Sequence, residues 1–171
     1  MFEWYGKENG RIVDPAVIYR LYDETRGQHG LVSWFGELLT EGYEGYRPNG
    51  QDLLTLKVFN TVFTDALDVL PNNTILIMVS KARQEPHKSL VLELFRIQSR
   101  PYFKLDDPRI NYLYMNGVVD REKENGQNYL RFSCPFVQKR LFGHFPRKLL
   151  PYLGTLRSEE HTSELQSLLI I

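Results

Sequence analysis

Val118-Val119-Asp120-Arg121, then Glu124-Asn125-Gly126, then Tyr129-Leu130-Arg131-Phe132-Ser133: two alternating runs flank an Asn-Gly pair, and this predicts a β-hairpin inside a chain otherwise written in helical spacing. The connection between the runs reads as longer than a tight two-residue turn. Before the hairpin, Asp107-Pro108 opens a short helix holding Ile110, Leu113 and Tyr114, and Gly117 closes it. After it, Pro135 starts a last helix with Phe136, Val137, Leu141 and Phe142, and Pro146 ends or kinks that helix. Upstream, residues 101–105 (Pro-Tyr-Phe-Lys-Leu) alternate and read as a short strand.

The first half is helical throughout. Asp14-Pro15 is an N-cap followed by a first-turn proline, with Val17, Ile18, Leu21 and Tyr22 at helical spacing up to Gly27. Gly30 opens a second helix with Leu31, Trp34, Phe35, Leu38 and Leu39 on one face, and residues 42–50 read as a Gly- and Tyr-rich loop. A third helix is predicted over 53–70, with Leu56, Phe59, Asn60, Phe63 and Leu67 on one face. Pro71-Asn72-Asn73 ends it, and Asn73 or Thr74 is expected to cap the next. A fourth follows with Ile75, Met78, Val79 and Ala82, and a fifth with Leu90, Val91, Leu94 and Phe95. The fold class is therefore mainly α with a small β-hairpin, divided into a helical region at 1–70 and a hairpin-containing module at 71–156.

The tail has a different origin. Arg157-Ser158-Glu159-Glu160-His161-Thr162-Ser163-Glu164-Leu165-Gln166-Ser167 is what a common sequencing-library adapter encodes when translated. Residues 157–171 are expected to be an unstructured artefact, the natural sequence to end near Leu156 because the read ended there, and the protein to be a piece of a larger one. The full chain carries 21 basic and 21 acidic residues. Setting the tail aside, with its one basic and three acidic residues, leaves 20 against 18. Such a balance demands neither nucleic acid nor an anionic membrane as partner. No apolar run reaches the roughly 18 residues of a membrane span, and no signal peptide is expected, since Met1-Phe2-Glu3-Trp4 has neither a basic start nor an apolar run. The single cysteine, Cys134, forms no internal disulfide and reads as a small buried hydrophobe. A cytoplasmic setting is expected.

Residues 2–39 resemble the helical lid at the C-terminal end of AAA-like, signal-transduction (STAND-type) ATPases. The likeness is carried by Val13-Asp14-Pro15-Ala16-Val17-Ile18 and by Tyr22-Asp23-Glu24-Thr25-Arg26-Gly27-Gln28-His29-Gly30-Leu31-Val32. His29 stands where the family's turn carries proline. Residues 89–150 resemble the degenerate winged helix that follows that lid in bacterial AAA-like proteins. Leu113-Tyr114-Met115-Asn116-Gly117-Val118-Val119-Asp120 carries a short helix, a glycine and an apolar strand. Tyr129-Leu130-Arg131-Phe132-Ser133-Cys134-Pro135-Phe136-Val137-Gln138 carries a strand and a proline-led helix start. The hairpin is then the wing, and residues 107–116 sit where a recognition helix would.

The resemblance implies that the lid turn, Arg26, Gln28 and His29, faces a nucleotide in a parent protein that uses ATP and Mg²⁺. The fragment alone is expected to bind no cofactor. It contains neither a G-x-x-x-x-G-K-[ST] phosphate loop nor an apolar strand ending in a Mg²⁺-holding carboxylate, so no catalytic residue is assigned. Its partners would be the missing N-terminal ATPase core and an effector domain or protein, with no membrane. The plainer readings are a turn residue for His29 and a solvated helix-end arginine for Arg26. Lys139, Arg140, Arg147 and Lys148 straddle apolar residues and offer a nucleic-acid or partner surface, or simply a solvated helix face. No metal site is expected, since His29, His87 and His144 lack paired ligands at short spacing. The alternative function is a winged-helix DNA-binding regulator. A plain protein-interaction module is a third.

Overall fold

The computed structural model describes residues 12–42, 53–96 and 99–145. The described chain runs β1 (Ile12–Val13), α1 (Pro15–Thr25), α2 (His29–Glu37), a π-helical turn (Leu38–Gly42), β2 (Leu53–Leu54), α3 (Leu56–Asp68), α4 (Asn73–Ala82), α5 (His87–Leu94), α6 (Pro108–Met115), β3 (Val119–Glu124), β4 (Gln127–Phe132) and α7 (Pro135–His144). It is mainly helical with one antiparallel hairpin, β3–β4.

Local chemistry sets the element ends. Asp14 caps α1, accepting from the Ala16 N–H at 2.9 Å, with Pro15 in the first turn. Asn72, rather than the expected Asn73 or Thr74, caps α4 by accepting from the Ile75 N–H at 3.0 Å. Asp107 caps α6 by accepting from the Arg109 N–H at 2.9 Å. Each supplies an acceptor to an N–H that a helix start leaves unpaired.

Four further expectations are corrected. The third helix begins at Leu56, three residues later than the spacing predicts, because Thr55 accepts from the Val58 N–H and caps it there. Leu53 and Leu54 instead pair in parallel with Ile12 and Val13. The alternating run 101–105 makes a single bridge, Tyr102 to Tyr129, before a turn closed by the Asp107 N–H on the Lys104 carbonyl. Pro101 has no N–H to extend a ladder. The second helix starts at His29, one residue before Gly30. Finally, the hairpin turn is tight. Glu124 pairs with Gln127, and Asn125 (φ 49°) and Gly126 (φ 80°) both occupy the left-handed region, the two-residue type I′ geometry that Asn-Gly favours. The strands run further toward the turn than the hydrophobic alternation does, because their outer residues are exposed and charged.

One apolar core spans the described residues. Phe35 of α2 is its hub, with ring centroids 5.9 Å from Phe63, 6.0 Å from Phe59 and 5.2 Å, edge-on, from Phe136 of α7. The last helix thus fills the centre of the N-terminal helices, so segments far apart in sequence share one interior. Residues 43–50, in the expected loop, and the adapter-like residues 157–171 lie outside the described residues.

Candidate functional site

The α1–α2 turn reverses the chain in four residues. Thr25 donates its hydroxyl to the Leu21 carbonyl at 2.7 Å and accepts from the Gly27 N–H at 3.3 Å. Arg26 ends α1 at φ 50° and Gly27 follows at φ 73°. A left-handed arginine costs on the order of 1 kcal/mol relative to glycine at such a position. Its side chain is exposed and makes no ion pair among the described residues.

This turn abuts the hairpin. Together they enclose an open groove of about 780 Å³ lined by Tyr22, Arg26 and Gln28 on one side and Tyr114, Arg131 and Ser133 on the other. Asp23 and Asp120 also reach it, so its charge is mixed. Gln28 bridges the two walls. Its Oε1 accepts from the Cys134 thiol at 3.7 Å, and its Nε2 lies 3.2 Å from where a Cβ on Gly117 would sit. Gly117 has φ 71°, and a Cβ there would also meet the Met78 Cε at 2.9 Å. A glycine at this corner therefore lets the turn, α4 and the hairpin come together. Cys134 is 1% exposed, and burial pushes its thiol above the ordinary range, so it stays a protonated packing group.

Of the three turn residues singled out in the sequence, Arg26 and Gln28 line the groove. His29 is exposed at the first turn of α2 and does not line it. Arg26 and His29 are exposed, while Gln28 is turned toward the hairpin.

Lys139 and Arg140 of the last helix are placed differently from the surface expected of them. Lys139 donates to Glu24 Oε1 at 2.7 Å and lies over the Phe63 ring. Glu24, 3% exposed, also takes Arg20 at 3.0 Å, and its Oε2 has no hydrogen-bond partner. Arg140 is 7% exposed and donates to the Leu67 and Leu70 carbonyls, capping the C-terminal end of α3. Burial lowers its affinity for the proton. His144, which sits in the last turn of the helix, is pushed below its ordinary value by burial and by the charges of Arg140 and Arg83. Lys139 and Arg140 therefore serve the fold and form no display surface. Arg147 and Lys148 lie outside the described residues.

Glu24 was the residue the sequence concealed, although its signal existed. Val17, Leu21 and Glu24 continue one helical stripe inward, and Phe136, Lys139 and Arg140 do the same on α7. An apolar stripe that runs into a charge predicts a buried pair.

Thr25 has spent its hydroxyl on Leu21, no histidine lines the groove, and Ser133 Oγ lacks a hydrogen-bond partner. Among the described residues no group of three or more His, Cys, Asp or Glu is placed to hold a metal ion, and no single helix is long and apolar enough to cross a membrane. Comparisons with known protein families, with curated proteins and with solved structures each find no significant match.

Proposed function

We propose that this chain is the helical lid and winged-helix region of an AAA-like ATPase, acting without chemistry of its own to carry the state of a nucleotide-bound core to a partner or effector. The observation that carries the reading is the joint at Gln28. The turn that would face nucleotide is tied through this one side chain to Gly117 and Cys134 at the base of the hairpin. A shift of the turn cannot leave the hairpin module undisturbed, because packed interfaces rearrange as units. Three helices in succession (α4, α5 and α6) lead into the hairpin, and this order favours the winged-helix assignment. Arg26 supports the lid assignment: an arginine kept in a costly backbone conformation, unpaired and facing out, suits a charge-assisted phosphate contact. Arg26 and His29 would meet the phosphates, whose Mg²⁺ and catalytic cradle belong to the parent's core.

The test is the longer genomic reading frame. A phosphate-loop motif and a Walker-B-type strand are expected upstream of the codon for Met1. A promoter and start directly before that codon, with no such motif, would remove the reading. In the assembled parent, Gln28→Ala should leave nucleotide binding within about twofold while weakening the partner's response to nucleotide.

The alternative, a DNA-binding regulator, has less support. The helix in the recognition position offers one arginine, Arg109, held by Asp107 at 2.7 Å, and Lys139 and Arg140 face inward. A reading helix brings free cations to phosphates and base edges. A flat titration with duplex DNA at low salt is the expected outcome. Salt-dependent binding lost in a Lys139→Gln/Arg140→Gln variant that still folds would favour the regulator instead.

A further inference from the structure

The hairpin has one open edge. β4 is flanked by β3 and by the Tyr102 bridge, while β3 has no second strand beside it among the described residues. The tight turn fixes which backbone groups that edge presents. Glu124 and Gln127 are the first hydrogen-bonded pair. Asp120, Glu122 and Glu124 therefore direct their N–H and C=O groups toward β4, and Arg121 and Lys123 direct theirs outward. The Arg121 N–H accordingly donates not to a strand but to the Asp120 carboxylate, at 2.7 Å.

The charges divide along the same parity. The acids are met within the chain: Asp120 by Arg131 at 3.6 Å, Glu122 by Arg131 at 3.3 Å, and Glu124 by Arg100, whose guanidinium also stacks on Tyr129. Arg121 and Lys123 project to the opposite face, are exposed, and make no ion pair among the described residues. A second copy of this edge is a poor occupant. Antiparallel pairing joins outward-directed residues to outward-directed residues, so wherever Arg121 or Lys123 meets a charge on this strand of a second copy it is again Arg121 or Lys123, and no register brings one of the strand's acids opposite either. Like charges directly opposite are destabilising.

We infer that the outer edge of β3 receives an extended segment of a partner protein carrying two acidic side chains one residue apart, added as a third strand. The partner's backbone takes the outward groups of Arg121 and Lys123, and its two acids, on one face of its strand, sit opposite those two side chains. Strand addition supplies the affinity and the charge pattern the choice of partner. This inference stands independently of the ATPase reading.

The experiment uses the full chain and fluorescence anisotropy with three labelled eight-residue peptides. One alternates Glu with Thr, one alternates Lys with Thr, and one is the Glu peptide with its four central residues N-methylated, which removes the N–H groups that would face β3 and keeps every charge. The Glu peptide should bind in a salt-dependent way, and the Lys and N-methylated peptides at least several-fold more weakly. In Arg121→Glu/Lys123→Glu, whose exposed sites leave the core untouched, affinity for the Glu peptide should fall on the order of tenfold and the Lys peptide should become the preferred ligand. Undetectable binding of the Glu peptide at millimolar concentration would overturn the inference, as would equal binding by the charge-reversed chain or by the N-methylated peptide. Two other results would assign the edge elsewhere and also overturn it. One is a concentration-dependent dimer abolished by the double reversal. The other is duplex DNA binding abolished by the double reversal while the peptides are ignored.

Discussion

Arg140 shows how a single side chain can do what its charge does not advertise. Its guanidinium closes the end of α3 by donating to the Leu67 and Leu70 carbonyls, groups that a helix terminus leaves without partners. Arg140→Ala removes donors to buried acceptors, and a loss of about 2–3 kcal/mol is expected in urea unfolding. Arg26 should behave oppositely. It occupies the left-handed region at φ 50°, so Arg26→Gly should raise stability by about 1 kcal/mol in the same measurement. A stabilising loss of a side chain would mark Arg26 as kept for contact rather than for folding. A destabilisation would end that interpretation.

At the level of elements, the cap of α6 makes a pH prediction. Arg109 and the helix-start N–H groups hold the Asp107 carboxyl down to about 2. A carboxyl depressed in the folded state stabilises above its unfolded value, near 4, and that contribution is lost as pH falls through the folded value. The first turn of α6 should therefore loosen progressively between about pH 4 and pH 2. Amide exchange at Arg109 and Ile110 should speed up relative to Asp107→Asn, in which the change is already made. An acid response identical in both proteins would contradict the assignment. The hairpin turn is a second element-level case. Gly126→Val would force a β-branched residue to φ 80°, at a cost of about 1–2 kcal/mol, with the hairpin fraying first.

For the molecule as a whole, the joint between turn and hairpin should be measurable through its thiol. Cys134 is sealed beneath Gln28 and its thiol is held protonated by burial, so native alkylation should be slow. Gln28→Ala should open the joint and accelerate alkylation by roughly tenfold, about what 1–1.5 kcal/mol of local opening confers, with little change in global stability. An unchanged rate would show that the turn and the hairpin are not coupled there. Element identity was legible in the sequence because it rests on local rules: Asp14-Pro15 and Asp107-Pro108 are helix starts wherever they occur, and Asn125-Gly126 is a hairpin turn. Less legible were the pairing of Leu53 and Leu54 with Ile12 and Val13, and the shrinkage of 101–105 to one bridge. A strand exists only by virtue of its neighbour, and two-residue pairings leave no periodicity to detect.

The site divides along the same line. By itself the sequence determined the helices, the Asp14 and Asp107 caps, the hairpin and the small buried cysteine, since each follows from spacing and backbone preference over a few residues. Only the tertiary structure decided what the charges are for. Lys139 meets Glu24 across 115 positions and Arg140 meets Leu67 across 73, and no local rule separates a solvated cation from one that closes a distant helix. The groove between the α1–α2 turn and the hairpin arises in the same way, from packing α7 against Phe35 and Phe63. Burial of one aromatic cluster brings the two walls together, and the long-range contacts it creates fix which polar groups face inward and which remain free.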